Sequence, residues 1–223
     1  NAKWGNAPSV LVGDFLYSRA FEMMVELGDM RIMQVLANAT NVIAEGEVLQ
    51  LTKVRDAATD EATYMEVIRS KTAMLFEAST HSAGLLAGAD DPQIEALRQY
   101  GNALGIAFQL VDDVLDYTGD ADAMGKNVGD DLAEGKPTLP LIYAMREGTA
   151  EQATLVRKAI QKGGIEDITA IQEAVRDCGA LAYTSALARS HIDEALRLLQ
   201  VLPPSVYRDS LEQLAEFAID RSF

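Results

Sequence analysis

Cysteine is almost missing from this chain: Cys178 stands alone among 223 residues, which excludes an internal disulfide and fits a reducing compartment. There are two histidines, His81 and His191, with no partner at a ligand spacing, so the first reads as structural or exposed and the second as a surface or boundary residue. Positive charge is also short. Against 34 Asp and Glu there are 19 Lys and Arg, and the net charge of −15 opposes nucleic acid and anionic membrane surfaces as partners. No apolar run comes near the roughly 20 residues of a membrane span, and no secretory signal is visible, so the chain reads as cytoplasmic and without a transmembrane segment. Prolines number six, and low-complexity tracts and convincing repeats are lacking. Strand signals are lacking too, with no Asn-Gly hairpin and no sustained alternation, so the fold class is all-α.

What is present is a succession of helical patterns, and a 48% hydrophobic content is enough to bury one sizeable core in one domain. Apolar residues from Val10 to Leu27 are broad enough around the axis to predict a helix buried on much of its surface and ended by Gly28. A second pattern runs from about Met30 to Leu51. Its polar exceptions Glu45, Glu47 and Gln50 read as surface residues. Thr63 with Glu66 predicts a capping box opening a long helix through Lys71 and Leu75 towards Gly84. Asp91-Pro92 starts the next helix, which carries down to Asp116. Later elements are expected over Leu139 to Met145, Thr149 to Lys162, Ile165 to Arg176, Ala180 to Leu202 and Ser205 to Phe223, with a second capping box at Thr149 to Gln152. These later elements carry no chemistry and read as packing.

The chemistry gathers at Phe108-Gln109-Leu110-Val111-Asp112-Asp113-Val114-Leu115-Asp116-Tyr117. On a helix Asp112 and Asp116 fall one turn apart on a shared face, with Gln109 a turn earlier and Asp113 about 100° further round. Three carboxylates on an apolar helix repel one another and are costly to desolvate, so they want a cation or a wet cleft. Oxygen ligands in this arrangement suit Mg²⁺, which is usually held by one or two carboxylates together with substrate phosphates. Downstream, the glycine-rich stretch Gly125 to Thr138 brings Lys126 and Lys136, two point charges for phosphate oxygens. Acid helix, glycine loop and lysines together describe a metal-bridged diphosphate site. A solvated acidic surface is the ordinary alternative, and the embedding of these aspartates among Phe, Leu and Val argues against it.

Phe108-Gln109 before Asp112-Asp113-Val114-Leu115-Asp116 resembles the second aspartate-rich motif of the trans-polyprenyl (isoprenyl) diphosphate synthases, in particular the long-chain, octaprenyl-type bacterial members. Gly125-Lys126-Asn127 through Glu134-Gly135-Lys136-Pro137-Thr138 resembles the segment that follows it. The likeness extends to Gly13-Asp14-Phe15-Leu16, Glu45-Gly46-Glu47 and Lys71-Thr72-Ala73-Met74-Leu75-Phe76, in order and over most of the chain. It implies a single-domain helical bundle of the isoprenoid synthase type, a homodimer, Mg²⁺ as cofactor, and isopentenyl diphosphate and an allylic diphosphate as substrates. Residue by residue it implies that Lys71 contacts the allylic diphosphate, that Thr72 and Gln109 turn oxygen towards the developing cation, that Lys126 and Lys136 hold diphosphate oxygens, and that Asp112, Asp113 and Asp116 serve the metal. The first two helices are implied in the dimer interface and in the wall of a tunnel for the growing chain.

One departure bears on this. The family's first aspartate-rich motif and its arginine pair should end just before Asn1, so residues 1–223 read as a polyprenyl synthase domain lacking that N-terminal part. The expected product is a long polyprenyl diphosphate, such as a quinone side chain, with farnesyl or geranylgeranyl diphosphate as the alternative. Two other readings stay open: a non-catalytic helical subunit or fragment that associates with a complete synthase, and an acidic helical protein that binds a divalent cation without turnover.

Overall fold

The computed structural model describes residues 1–118, 129–163 and 166–220, and among them there is no strand. The all-α expectation holds. Helix α1 (Asn6–Leu27) stops at Gly28, whose φ of 69° is left-handed and whose N–H returns to the Val25 carbonyl. Asp29 then caps α2 (Met30–Lys53) by accepting from the Arg31 N–H. The burial expected of α1 is not found. Val10, Leu11, Phe15 and Leu16 are each more than half exposed, and Met24 is the only buried residue of the helix. Within this chain α1 meets mainly α2, so only the strip that reaches Ile32 and Leu85 is covered.

Helix α3 (Glu61–Ile68) begins earlier than the Thr63 box predicts. Asp60 supplies a carboxylate that accepts from the Thr63 N–H at 2.8 Å, and a charged N-cap acceptor three residues upstream settles the start. The long helix expected next is interrupted: Arg69–Ala73 form a π-helical turn before α4 (Met74–Leu86). Helix α5 (Asp91–Thr118) opens on a reciprocal cap, with the Gln93 N–H donating to Asp90 and the Asp90 N–H to Gln93. After it come α6 (Asp130–Ala133), α7 (Leu139–Glu147) and α8 (Ala150–Lys162), the last on the Thr149–Gln152 capping box read from the sequence. The chain closes with α9 (Ile168–Asp177), α10 (Ala180–Leu198), a short 3₁₀ turn over Leu199–Val201, and α11 (Val206–Asp220).

Helix α5 is the axis of the bundle, because its apolar residues are spread around most of its circumference. Tyr100, Leu104 and Ala107 pack with Ile192, Leu199 and Ala215 from the C-terminal helices. Ile106 and Leu110 pack with Tyr64, Ile68 and Ala73 on one side and with Leu139 and Ala188 on the other. A third cluster, Tyr117, Leu132, Leu141, Val156, Ile160 and Ile171, fixes the lower end of α5 against α6 to α9. Helix α4 comes in close because α5 has glycine where they cross. A methyl group on Gly101 would lie 2.2 Å from Thr80 Oγ1 and 2.5 Å from the Phe76 carbonyl oxygen; on Gly105 it would lie 2.5 Å from Ala73 Cα.

Replacing Gly101 by Ala therefore sets two effects against each other. Alanine favours the helix by up to about 1 kcal/mol, whereas overpacking against a backbone carbonyl usually costs about 1–3 kcal/mol. The expected result is net destabilisation, read as a lower urea midpoint at unchanged slope. A midpoint at or above that of the parent would show that α4 moves aside freely.

Candidate functional site

Where the second half of α5 faces the π turn and the end of α2, the structure holds a cavity of about 320 Å³. Lys71, Thr72, Gln109, Asp112, Asp113, Asp116 and Lys136 all line it, so residues picked from three separate stretches of sequence meet in one place. Lys126 lies outside the described residues.

The π turn brings Lys71 and Thr72, neighbours in sequence, to the same cavity. It is held from both sides by glycine. Gly46 on α2 approaches so closely that a methyl group there would lie 2.8 Å from both Lys71 N and Ser70 Cβ, while Gly105 makes the matching approach from α5. Lys71 Nζ donates to Gln50 Oε1 at 2.6 Å and stands 3.2 Å from Glu47 Oε2. Gln50 thus lines the site, contrary to the surface reading, while Glu47 is exposed as that reading expects and meets the site only through Lys71. Glu45 is exposed and takes the Asn41 amide instead, as a surface residue would. Lys136 Nζ is held by Asp131 at 2.9 Å and Glu134 at 2.7 Å, which places its charge beside the short helix α6.

The three aspartates of α5 differ sharply. Asp113 is only 2% exposed and turns inward, accepting from Tyr64 Oη at 2.6 Å and from Gln109 Nε2 at 2.8 Å. Burial, then the Asp131 charge, push its carboxyl up to about 8. Tyr64, buried and beside that carboxylate, keeps its proton far above the usual phenol range. Asp112 looks into the cavity and takes a longer bond, 3.4 Å, from the Gln109 amide. Asp116 keeps a buried Oδ2 with no partner, and burial followed by the Asp131 charge push it up to about 7. On the opposite side of Gln109, its Oε1 accepts from Thr72 Oγ1 at 3.0 Å.

The expected metal set of Asp112, Asp113 and Asp116 therefore does not converge. Among the described residues no three carboxylate, histidine or cysteine groups are placed to hold a metal ion by themselves. Asp113 borders the cavity, but both of its oxygens are engaged by Tyr64 and Gln109. A hard cation nevertheless fits the remaining donors: an unpartnered buried carboxylate oxygen on Asp116, the open carboxylate of Asp112, and a local field negative enough to raise acid pKa values. The missing ligands would be substrate oxygens and water. Tyr64 escaped the sequence reading, since it stands in an apolar turn and the carboxylate it meets lies 49 residues away.

Residues 1–178 match the polyprenyl synthetase family. The chain is 52% identical over 222 residues to the octaprenyl diphosphate synthase of Escherichia coli K12, covering 99% of itself and 69% of that protein. It is 50% identical over 227 residues to the octaprenyl diphosphate synthase of Haemophilus influenzae, covering 100% of itself and 68% of that protein. Its fold superposes with a TM-score of 0.92, at 45% identity, on the crystal structure of a polyprenyl synthase from Caulobacter crescentus CB15 complexed with calcium and isoprenyl diphosphate, over 100% of this chain and 68% of that one. The all-α architecture is thus that of the isoprenoid synthases.

The raised acids give a pH dependence with a definite sign. A carboxyl whose pKa rises on folding binds its proton more tightly in the folded chain, so its contribution is present at low pH and lost as pH rises through the folded value. Metal-free protein should lose thermal stability from the ordinary carboxylate range, about 4, up to about 8. Asp113→Asn should flatten that fall. A melting temperature that climbs across the window would mean that Asp113 is stabilised as the anion.

Proposed function

The chain belongs to the polyprenyl synthetase family, and from that premise we propose that it is a prenyltransferase that condenses isopentenyl diphosphate with an allylic diphosphate to give a long, all-trans polyprenyl diphosphate of the octaprenyl type. One observation carries the reading: lysines and open carboxylates meet in a single cavity directly beside the oxygens of Thr72 and Gln109. Anion-holding groups on one side and cation-tolerant oxygens on the other are what separating an allylic diphosphate into diphosphate and carbocation requires.

In that reaction the allylic C–O bond breaks and the diphosphate leaves with the electron pair. The double bond of isopentenyl diphosphate then attacks the allylic carbon, and a proton is lost to restore an alkene. Lys71 and Lys136 donate to the diphosphate oxygens on which charge accumulates, and Lys126 is assigned the same task from its place in the sequence. Asp112 and Asp116 are the carboxylates that would hold Mg²⁺, which when bound offsets the charge on the leaving diphosphate. A related structure that contains calcium and isoprenyl diphosphate supports a divalent cation in such a site. Gln109 and Thr72 face the allylic carbon and keep water from it. Residues 1–223 are read as the part of a polyprenyl synthase domain that follows the first aspartate-rich motif. The exposed apolar side chains of α1 support a homodimer, and no described helix is long and apolar enough to cross a membrane.

Protein expressed from its complete reading frame, given Mg²⁺, farnesyl diphosphate and labelled isopentenyl diphosphate, should yield a ladder of long polyprenyl products. Asp112→Ala should cut turnover at least about a hundredfold, in the range seen when a stabilising group at a developing charge is removed, with the circular dichroism unchanged. Lys71→Ala should weaken farnesyl diphosphate binding about tenfold, the effect of roughly 1.4 kcal/mol. Folded protein that incorporates no label would overturn the proposal and favour a non-catalytic subunit.

A further inference from the structure

Gln109 is fixed by its neighbours at both ends. Its Nε2 lies between two carboxylates, 2.8 Å from Asp113 Oδ1 and 3.4 Å from Asp112 Oδ2, and its Oε1 takes the Thr72 hydroxyl proton at 3.0 Å. Rotating the amide by half a turn would put Oε1 against those carboxylates and point an N–H₂ at Thr72. Asp113 makes this orientation permanent only if its own carboxylate is fixed, and one residue does that: Tyr64, donating from α3 to Oδ2 at 2.6 Å across 49 residues of sequence. The relay continues into the cavity. With its proton committed to Gln109, the Thr72 hydroxyl has only lone pairs to offer there.

We propose that Tyr64 is a positioning residue for the prenyl transfer: acting through Asp113, it locks the Gln109 amide so that the oxygens of Gln109 and Thr72, and no N–H, are turned to the allylic cation. This rests on the function proposed above, since it needs a cation in the cavity. It also gives Asp113 a task different from metal binding. Tyr64 is 5% exposed and packs with Ile68, Ala73, Ile106 and Leu110, so its ring belongs to the core while its single polar atom serves the site. Tyr64→Phe keeps the ring and removes only the hydroxyl.

The test separates orientation from folding by comparing two ligands in the presence of Mg²⁺ and inorganic diphosphate. One is a prenyl chain with a protonated amine in place of the allylic carbon, and the other is its neutral carbon isostere. The parent protein should bind the cationic ligand in preference to the neutral one. Tyr64→Phe should lose about tenfold of that preference, while its affinity for the neutral ligand changes less than about twofold. In a Gln109→Ala background Tyr64→Phe should have no further effect, as expected of groups that act as one unit. A full preference retained in Tyr64→Phe, or an equal loss in the Gln109→Ala background, overturns the proposal. If Tyr64→Phe does not fold, Asp113→Asn, which retains shape and allows the amide to turn, takes its place in the same cycle with the same expectations. A parent protein that makes polyprenyl products yet shows no preference for the cation overturns this inference alone. A parent that shows the preference yet makes no product overturns the synthase reading alone.

Discussion

A carboxylate that is 2% exposed in the middle of an apolar helix constrains everything placed around it. Leaving such a group unpaired costs far more than one hydrogen bond returns, so Asp113 has to be met by donors from the elements packed against α5. Tyr64 meets one oxygen and Gln109 the other. The first donor ties α3 to α5 through a polar contact inside a cluster that is otherwise Ile, Leu, Val and Ala. The second turns the Gln109 amide, and the Thr72 hydroxyl follows. A polar network of this kind is stable only when every member is satisfied, so the face shown to the cavity is decided a layer below it.

Close backbone approach is the second constraint. Lys71 and Thr72 stand on a π turn that is wedged between α2 and α5, and each of those helices presents glycine at the contact, Gly46 and Gly105. A β-carbon would come within 2.8 Å of the turn from Gly46 and 2.5 Å from Gly105, so the turn would have to shift, and a site that depends on donor geometry is sensitive to displacements of about 1 Å. Sequence, local structure and site chemistry are joined here through absent atoms: the missing β-carbons let a wider helical turn carry two adjacent residues into one cavity.

Much of this was legible in the sequence, and the omissions have physical causes. Helix positions followed from 3.6-residue periodicity, from the Thr149–Gln152 cap and from Gly28, because those signals are local and involve residues a few positions apart. Asp112 stands out because carboxylates on an apolar helix are conspicuous, whereas Lys71 is singled out only by the resemblance of its segment, since a lysine on an apolar helix ordinarily snorkels to solvent. The π turn was invisible, since Arg69 to Ala73 contains no proline or glycine to mark a change of helical type. Periodicity gave the angle between Asp112 and Asp113 but not which of them meets a neighbour, and Tyr64, which answers that, belongs to a different helix. The burial of α1 was misjudged for a related reason: an apolar pattern states what could be covered, and the covering surface is not in the pattern.

The Gly129 N–H donates to the Asp116 carbonyl at 3.0 Å, so the backbone arrives at α6 beside the place where it leaves α5. A stitch of this sort makes two parts of the site neighbours through the backbone alone. Asp116 on α5 and Lys136, which Asp131 of α6 holds, are set against each other across one peptide hydrogen bond, so a displacement of α6 is felt at the carboxylate and at the lysine together.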